Sequence, residues 1–97
     1  MKYHISDEAI RDLDDIWLYT LETWSAEQAD RYFNLLLNEI EYIANHFEDG
    51  RNMDFIKNGY RVSKMKSHLI FYKKSTDGTM EIIRILHQMM DIEKRLK

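Results

Sequence analysis

The hydrophobic period of this chain changes once, from the spacing of a helix to that of a strand, in the stretch between Gly50 and Gly59. Before it, Ile10, Leu13, Trp17, Leu21 and Trp24 recur at three- and four-residue steps, which predicts an amphipathic helix with Arg11, Asp12, Asp15 and Glu22 elsewhere on its circumference. An aromatic residue at that spacing is usually core, so Trp17 and Trp24 are core candidates. Ser25-Ala26-Glu27-Gln28 then matches a capping box and predicts a second helix at once. Its stripe runs through Ala29, Tyr32, Phe33, Leu36, Leu37, Ile40, Ile43, Ala44 and Phe47. Helices joined this tightly fold back as an antiparallel hairpin.

After Gly59 the period is two. Tyr60 to Met65 and His68 to Lys73 are short strand-like runs separated by Lys66-Ser67, and Asp77-Gly78 reads as a two-residue hairpin turn with both residues at positive φ. Thr79 to Leu86 is the last and most apolar strand. The stretch from Gly50 to Gly59 is expected to be a loop with one short turn around Met53 to Ile56. At the amino end, Lys2 to Ile5 is compatible with a strand and Ser6 is a good helix N-cap before Asp7 and Glu8. Residues 88–96 are suited to a terminal helix. The expected fold class is α+β in the order β-α-α-β-β-β-(α), the helical hairpin covering one face of a mostly antiparallel sheet and leaving the other for function. A chain of 97 residues supports one domain, spanning 1–97.

Charge is segregated along the chain. Residues 1–50 carry three Lys/Arg against 12 Asp/Glu, and residues 51–97 carry 11 against five. Such an asymmetry steers oppositely charged partners to different sides of a molecule. There is no cysteine, which removes disulfides, thiolate metal sites and cysteine nucleophiles and suits a reducing compartment. The opening MKYHISDEAI has no apolar run, and nothing approaches the roughly 18 apolar residues of a membrane span, so a cytoplasmic protein without membrane contact is expected.

Most enzyme signatures are missing: there is no phosphate-binding glycine loop, no His-Glu-x-x-His pair and no serine elbow. His4, His46, His68 and His87 are too dispersed to read as a metal site, so neither metal nor cofactor is expected. Arg84 interrupts Ile82-Ile83-Arg84-Ile85-Leu86, where a charge must find a partner such as Asp91 or Asp54 or else lie on an open face. Strand alternation places it with Met80, Ile82 and Leu86, and places His87 opposite with Glu81, Ile83 and Ile85. Arg51, Arg61, Lys64, Lys66, Lys73 and Lys74, among Tyr60, Phe71 and Tyr72, suit either RNA, through phosphates and stacking, or an acidic peptide.

Several segments taken together resemble the ParE toxins of the ParE/RelE toxin–antitoxin superfamily. They are Leu13-Asp14-Asp15-Ile16 with Tyr19-Thr20, then Trp24 and Gln28-Ala29, then Gly59-Tyr60-Arg61, His68-Leu69-Ile70-Phe71-Tyr72, Ile83-Arg84-Ile85-Leu86-His87 and Met90-Asp91. The resemblance runs nearly end to end. It implies a toxin that arrests growth, a cognate ParD-like antitoxin, and DNA gyrase as target, without sequence-specific DNA binding by the toxin alone. It also implies partner contacts at Arg61, His68, Tyr72, Arg84, His87, Met90 and Asp91. Arg61 and Arg84 would offer charge-assisted hydrogen bonds, and Tyr72 and Met90 apolar area.

RelE-type relatives, which cut messenger RNA on the ribosome, are the alternative, because one fold carries both activities. Cleavage of that kind needs cations for the charged transition state and a base for the 2′-hydroxyl. Here the last tyrosine is Tyr72, Leu69 and Phe71 offer no such groups, and His87 is the single leftover base, so no catalytic residue is assigned. A third reading is a binding domain whose toxicity has been lost.

Overall fold

Ser6 is where the chain turns from strand to helix. Its backbone is extended (φ −61°, ψ 158°), and its Oγ accepts from the Ala9 N–H at 3.0 Å, supplying one of the donors a helix start leaves unpaired. On its amino side lies strand β1 (Tyr3–Ile5), and on its carboxyl side helix α1 (Asp7–Thr23), with Asp7 and Glu8 in the first turn. Ser25 repeats the device for helix α2 (Ala26–Asn45), accepting from the Gln28 N–H at 3.1 Å. The computed structural model describes residues 1–96. Among them no helix is long and apolar enough to cross a membrane.

Past α2, a short 3-10 turn at Phe47–Asp49 leads into β2 (Arg51–Asn52), β3 (Arg61–Met65), β4 (His68–Lys74), β5 (Met80–His87) and helix α3 (Ile92–Leu96). The five strands form one sheet in the order β1-β5-β4-β3-β2, with β1 parallel to β5 and the other pairs antiparallel. The α+β class, the element order and the mostly antiparallel sheet under a helical hairpin are as the sequence predicts. The two-residue β2 was expected to be loop; it is too short to display a period.

The helical hairpin covers one sheet face. Leu36, Ile40 and Ile43 of α2 and Leu13 of α1 meet Ile70, Tyr72, Met80, Ile82 and Ile85 in the main core. Each fully buried Leu or Ile of this set contributes roughly 1.5–3 kcal/mol. The stripe on α2 is the expected one from Ala29 to Ala44, whereas Phe47, expected to continue it, lies beyond the helix in the 3-10 turn; the stripe on α1 is rotated. Ala9 and Leu13 are buried and Ile16 packs on the core, whereas Ile10 is 45% and Trp24 69% exposed. Trp24 is not a core residue, and Trp17 lies half-buried at the hairpin seam, its Nε1 donating to Asp30 Oδ1 at 2.9 Å.

Strand alternation in β5 fails at a bulge. Phe71 pairs with Arg84 and Tyr72 with Ile82, so Ile83 is the extra residue. The slip sends Ile82 and Ile85 to the helical face, and Ile83 and Leu86 to the opposite one. Arg84 therefore does not share a face with Met80 and Ile82, nor Ile83 with Ile85, as simple alternation requires. The turn before β5 also differs from the two-residue form: Ser75 N–H donates to Thr79 O at 2.8 Å across Thr76, Asp77 and Gly78, and only Gly78 has positive φ (86°). A three-residue loop with glycine in the left-handed position accounts for it.

The second sheet face is not left bare. Met53, Tyr60, Phe71, Leu86 and Leu96 form a smaller buried cluster, joined by Ile56, Val62, Leu69, Ile83 and Ile92. The 53–60 segment covers it from one side and α3 from the other, leaving a groove between them rather than an open sheet.

Candidate functional site

Two depressions are lined by exposed apolar side chains, Tyr19, Trp24 and Met90 at one and Phe55 and Met90 at the other. The larger, about 610 Å³, opens where the tip of the helical hairpin overhangs the ends of β4 and β5. Its floor is a cross-strand pair, His68 opposite His87, with ring centroids 5.3 Å apart and planes at 88°. Tyr32 of α2 forms the inner wall, its Oη 2.6 Å from His68 Nδ1. Tyr19, Trp24 and Met90 form the rim, exposed by 69%, 69% and 41%. Asp15 is the one formally charged side chain lining it.

The electrostatics follow from burial. Burial, with the neighbouring His87, lowers the His68 pKa from 6.5 to about 4, so that ring is neutral at physiological pH. Burial likewise raises the Tyr32 phenol above its ordinary value, making the Tyr32–His68 contact a bond between neutral groups. His87 Nδ1 accepts from the Met89 N–H at 3.1 Å, which assigns its proton to Nε2.

The smaller groove, about 490 Å³, lies on the second sheet face. Val62, Leu69 and Phe71 floor it, Met53, Phe55 and Ile56 wall one side, and Met90 to Glu93 wall the other. Phe55 projects with 72% of its surface exposed. Arg51 stands at one rim, and Asp91 and Glu93 at the other.

The structure divides the seven residues expected to meet a partner. His68, His87 and Met90 come together at the cavity, and Met90 with Asp91 also borders the groove. Asp91 Oδ1 in addition accepts from the Lys94 N–H at 3.2 Å at the start of α3. The other three are engaged internally. Tyr72, with no exposed surface, donates from Oη to Phe47 O at 2.8 Å and packs edge-on to the Phe47 ring. Arg61 donates from Nη1 to Gly50 O at 2.7 Å and from Nη2 to Glu48 Oε2 at 2.7 Å. Both side chains pin the 47–50 turn. Arg84 is held by α1: its Nε and Nη2 donate to Asp12 at 2.8 and 2.9 Å, and Glu8 stands 3.5 Å from Nη1. The hydrogen bond to Asp12 raises the Arg84 pKa further. The partner the charge required is therefore Asp12, not Asp91 or Asp54.

Sequence reasoning missed Asp15, Tyr19 and Tyr32 as lining residues, and Phe55 as an exposed aromatic. The signal for Asp15 is its place three residues beyond Asp12 on one side of α1. For Phe55 no periodic signal exists. Among the described residues no cluster of three His, Cys, Asp or Glu side chains is arranged to hold a metal.

The family model described as "ParE toxin of type II toxin-antitoxin system, parDE" matches residues 3–92. "Toxin ParE1" of Caulobacter vibrioides is 40% identical over 94 residues, covering 97% of this chain and 96% of its own length. "Toxin ParE1" of Mycobacterium tuberculosis is 36% identical over 95 residues, covering 98% and 97%. A chain of the solved "Chromosomal ParDE TA system from P. aeruginosa" superposes with a TM-score of 0.79 over 90% of this chain and 95% of its own, at 16% identity, a likeness of fold. This chain belongs to the family of ParE toxins of type II toxin–antitoxin systems.

Proposed function

We propose that this protein acts in the cytoplasm as a single toxin domain that arrests growth by inhibiting DNA gyrase without itself performing catalysis, and that a cognate ParD-like antitoxin silences it. The observation that carries the non-catalytic reading is the charge around the histidine pair. The imidazoles of His68 and His87 offer a base, but the formal charge beside them is the carboxylate of Asp15, which repels phosphate. The arginines that would neutralise a cleaved phosphate are committed elsewhere, Arg61 to Glu48 and Arg84 to Asp12. A ribonuclease centre needs cations where the charge develops.

The groove on the second sheet face suits the antitoxin. A partly disordered acidic tail that orders on binding would lay apolar side chains on Val62 and Leu69, with its carboxylates on the Arg51 side, away from Asp91 and Glu93. Met90 and Asp91 are then contact residues, while Arg61, Tyr72 and Arg84 act by holding the scaffold. The test is a supercoiling assay with purified gyrase, run beside primer-extension mapping of transcripts in cells expressing the protein. Inhibited supercoiling with intact transcripts is expected; cleaved transcripts with unaffected gyrase would overturn the reading in favour of a ribosome-dependent nuclease.

A further inference from the structure

Glu8, Asp12 and Asp15 follow one another along the side of α1 that runs beside the end of β5. The first two already hold a guanidinium, that of Arg84, with Asp12 taking two of its N–H groups. Asp15, about one turn further on, has no ion-pair partner among the described residues and lines the cavity over the histidine pair. Tyr19, one turn further along α1, lines the same cavity, as do Trp24 and Tyr32. A cavity that offers both a carboxylate and aromatic rings suits a guanidinium, which pairs with the oxygens through its N–H fork and stacks its plane on a ring.

We infer that this cavity is a docking site for a basic segment of a partner protein, which inserts an arginine side chain against Asp15 and the aromatic rim and lays flanking apolar residues on Trp24 and Met90. The charge of the molecule favours that occupant. The half of the chain that builds the helical hairpin has 12 acidic residues against three basic ones, so basic segments are drawn to this side and nucleic acid is repelled. The cavity's volume, about 610 Å³, exceeds the needs of one side chain and falls in the ~300–1,000 Å³ range of ligand pockets, leaving room for the flanking residues. His68, neutral because it is buried, does not oppose a cation. The site shares Met90 with the groove on the second sheet face, but Asp15, Trp24 and the histidine pair belong to the cavity and not to that groove.

The experiment titrates the full chain with a 14-residue amphipathic peptide of Ala, Leu and Arg, and with the same peptide carrying citrulline for arginine, following the Trp24 indole N–H by NMR. The arginine peptide is expected to bind saturably and shift that signal, and the citrulline peptide to bind about tenfold more weakly. Asp15→Asn should cost a similar factor. Asp14→Asn removes the same charge one residue away, outside the cavity lining, and should cost less than about twofold. Trp24→Ala, at an exposed position, should weaken binding without unfolding the chain. Absence of saturable binding, equal affinity for the two peptides, or equal losses from Asp14→Asn and Asp15→Asn would overturn the proposal. So would a single-stranded RNA oligonucleotide that shifts the Trp24 signal and competes with the peptide, which would mark the cavity as a nucleic-acid site.

Discussion

Asp12 accepts three hydrogen bonds from one stretch of β5: two from the Arg84 guanidinium at 2.8 and 2.9 Å, and one from the Ile85 backbone N–H at 2.9 Å. The last of these explains the geometry. Strand β1 pairs with β5 only as far as Ile82, and beyond it the β5 edge is taken up by α1, through Ser6 Oγ donating to Ile83 O at 2.8 Å and through Asp12. Both partners of the ion pair are largely buried, at 12% and 15% side-chain exposure. Removing one partner leaves a buried charge and an unpaired backbone donor. Asp12→Ala is expected to lower the unfolding free energy by about 2–4 kcal/mol in urea titrations at an unchanged m-value. Arg84→Lys should recover only part of the loss from Arg84→Ala, because an ammonium cannot span both Asp12 oxygens as the fork does.

Gly50 is required by Tyr72 rather than by its own backbone, whose φ of −69° suits any residue. A Cβ there would overlap Tyr72 Oη and lie 2.6 Å from its Cζ. Tyr72 cannot move aside, since it is fully buried and bonded to Phe47 O. Gly50→Ala should therefore destabilise by about 1–3 kcal/mol, and Tyr72→Phe by about 1 kcal/mol. In the double variant the costs should fall short of their sum, because removing the hydroxyl relieves part of the clash. Chemical denaturation of the four proteins checks the cycle.

His68 gives stability a dependence on pH. Its folded-state pKa is lowered from 6.5 to about 4, by burial first and by His87 second. Between those values the unfolded chain binds a proton that the folded chain refuses. The contribution is therefore complete above pH 6.5, is lost as pH falls towards 4, and changes no further below that. The ring is half-buried and water screens part of the effect, so the loss is on the order of 1–2 kcal/mol. The difference in unfolding free energy between the native chain and His68→Gln, measured from pH 7.5 to 4, should shrink by that amount. A difference constant with pH would contradict the assignment.

What the sequence makes legible is what repeats. The α2 stripe is read correctly because eight apolar positions from Ala29 to Ala44 hold one phase. On α1 the phase is lost, because the buried side includes Ala9 and the polar Asp12 and Thr20 while apolar Ile10 and Trp24 lie outside it. The extra residue at Ile83 is invisible to a period of two, since Ile82, Ile83, Ile85 and Leu86 around Arg84 are all apolar and either phase fits. The site suffers from the same gap. His68 and His87 are 19 positions apart and meet only through the register that the three-residue loop and the bulge set together. Arg61, Tyr72 and Arg84 were recognisable as motif residues, but a motif does not say whether a side chain faces a partner or the chain's own backbone.

Phe55 supplies a test of the antitoxin groove that is free of these scaffold roles. It is 72% exposed at the lip of the groove, and none of the hydrogen bonds that fix the 53–60 segment uses its side chain. Those bonds come instead from Asp54, which accepts from the Gly59 N–H at 2.7 Å, and from Met53, whose N–H donates to Tyr60 O at 2.8 Å. Phe55→Ala should therefore change stability by no more than about 0.5 kcal/mol. If an antitoxin segment lies in the groove, the same substitution removes an aromatic anchor beside Val62 and Leu69 and should raise the dissociation constant about 10- to 30-fold, chiefly through a faster off-rate. Val62→Ala, on the floor, should weaken binding less and stability more. Calorimetric titration of the co-expressed antitoxin against each variant separates the two effects; unchanged affinity in Phe55→Ala would place the antitoxin elsewhere on the molecule.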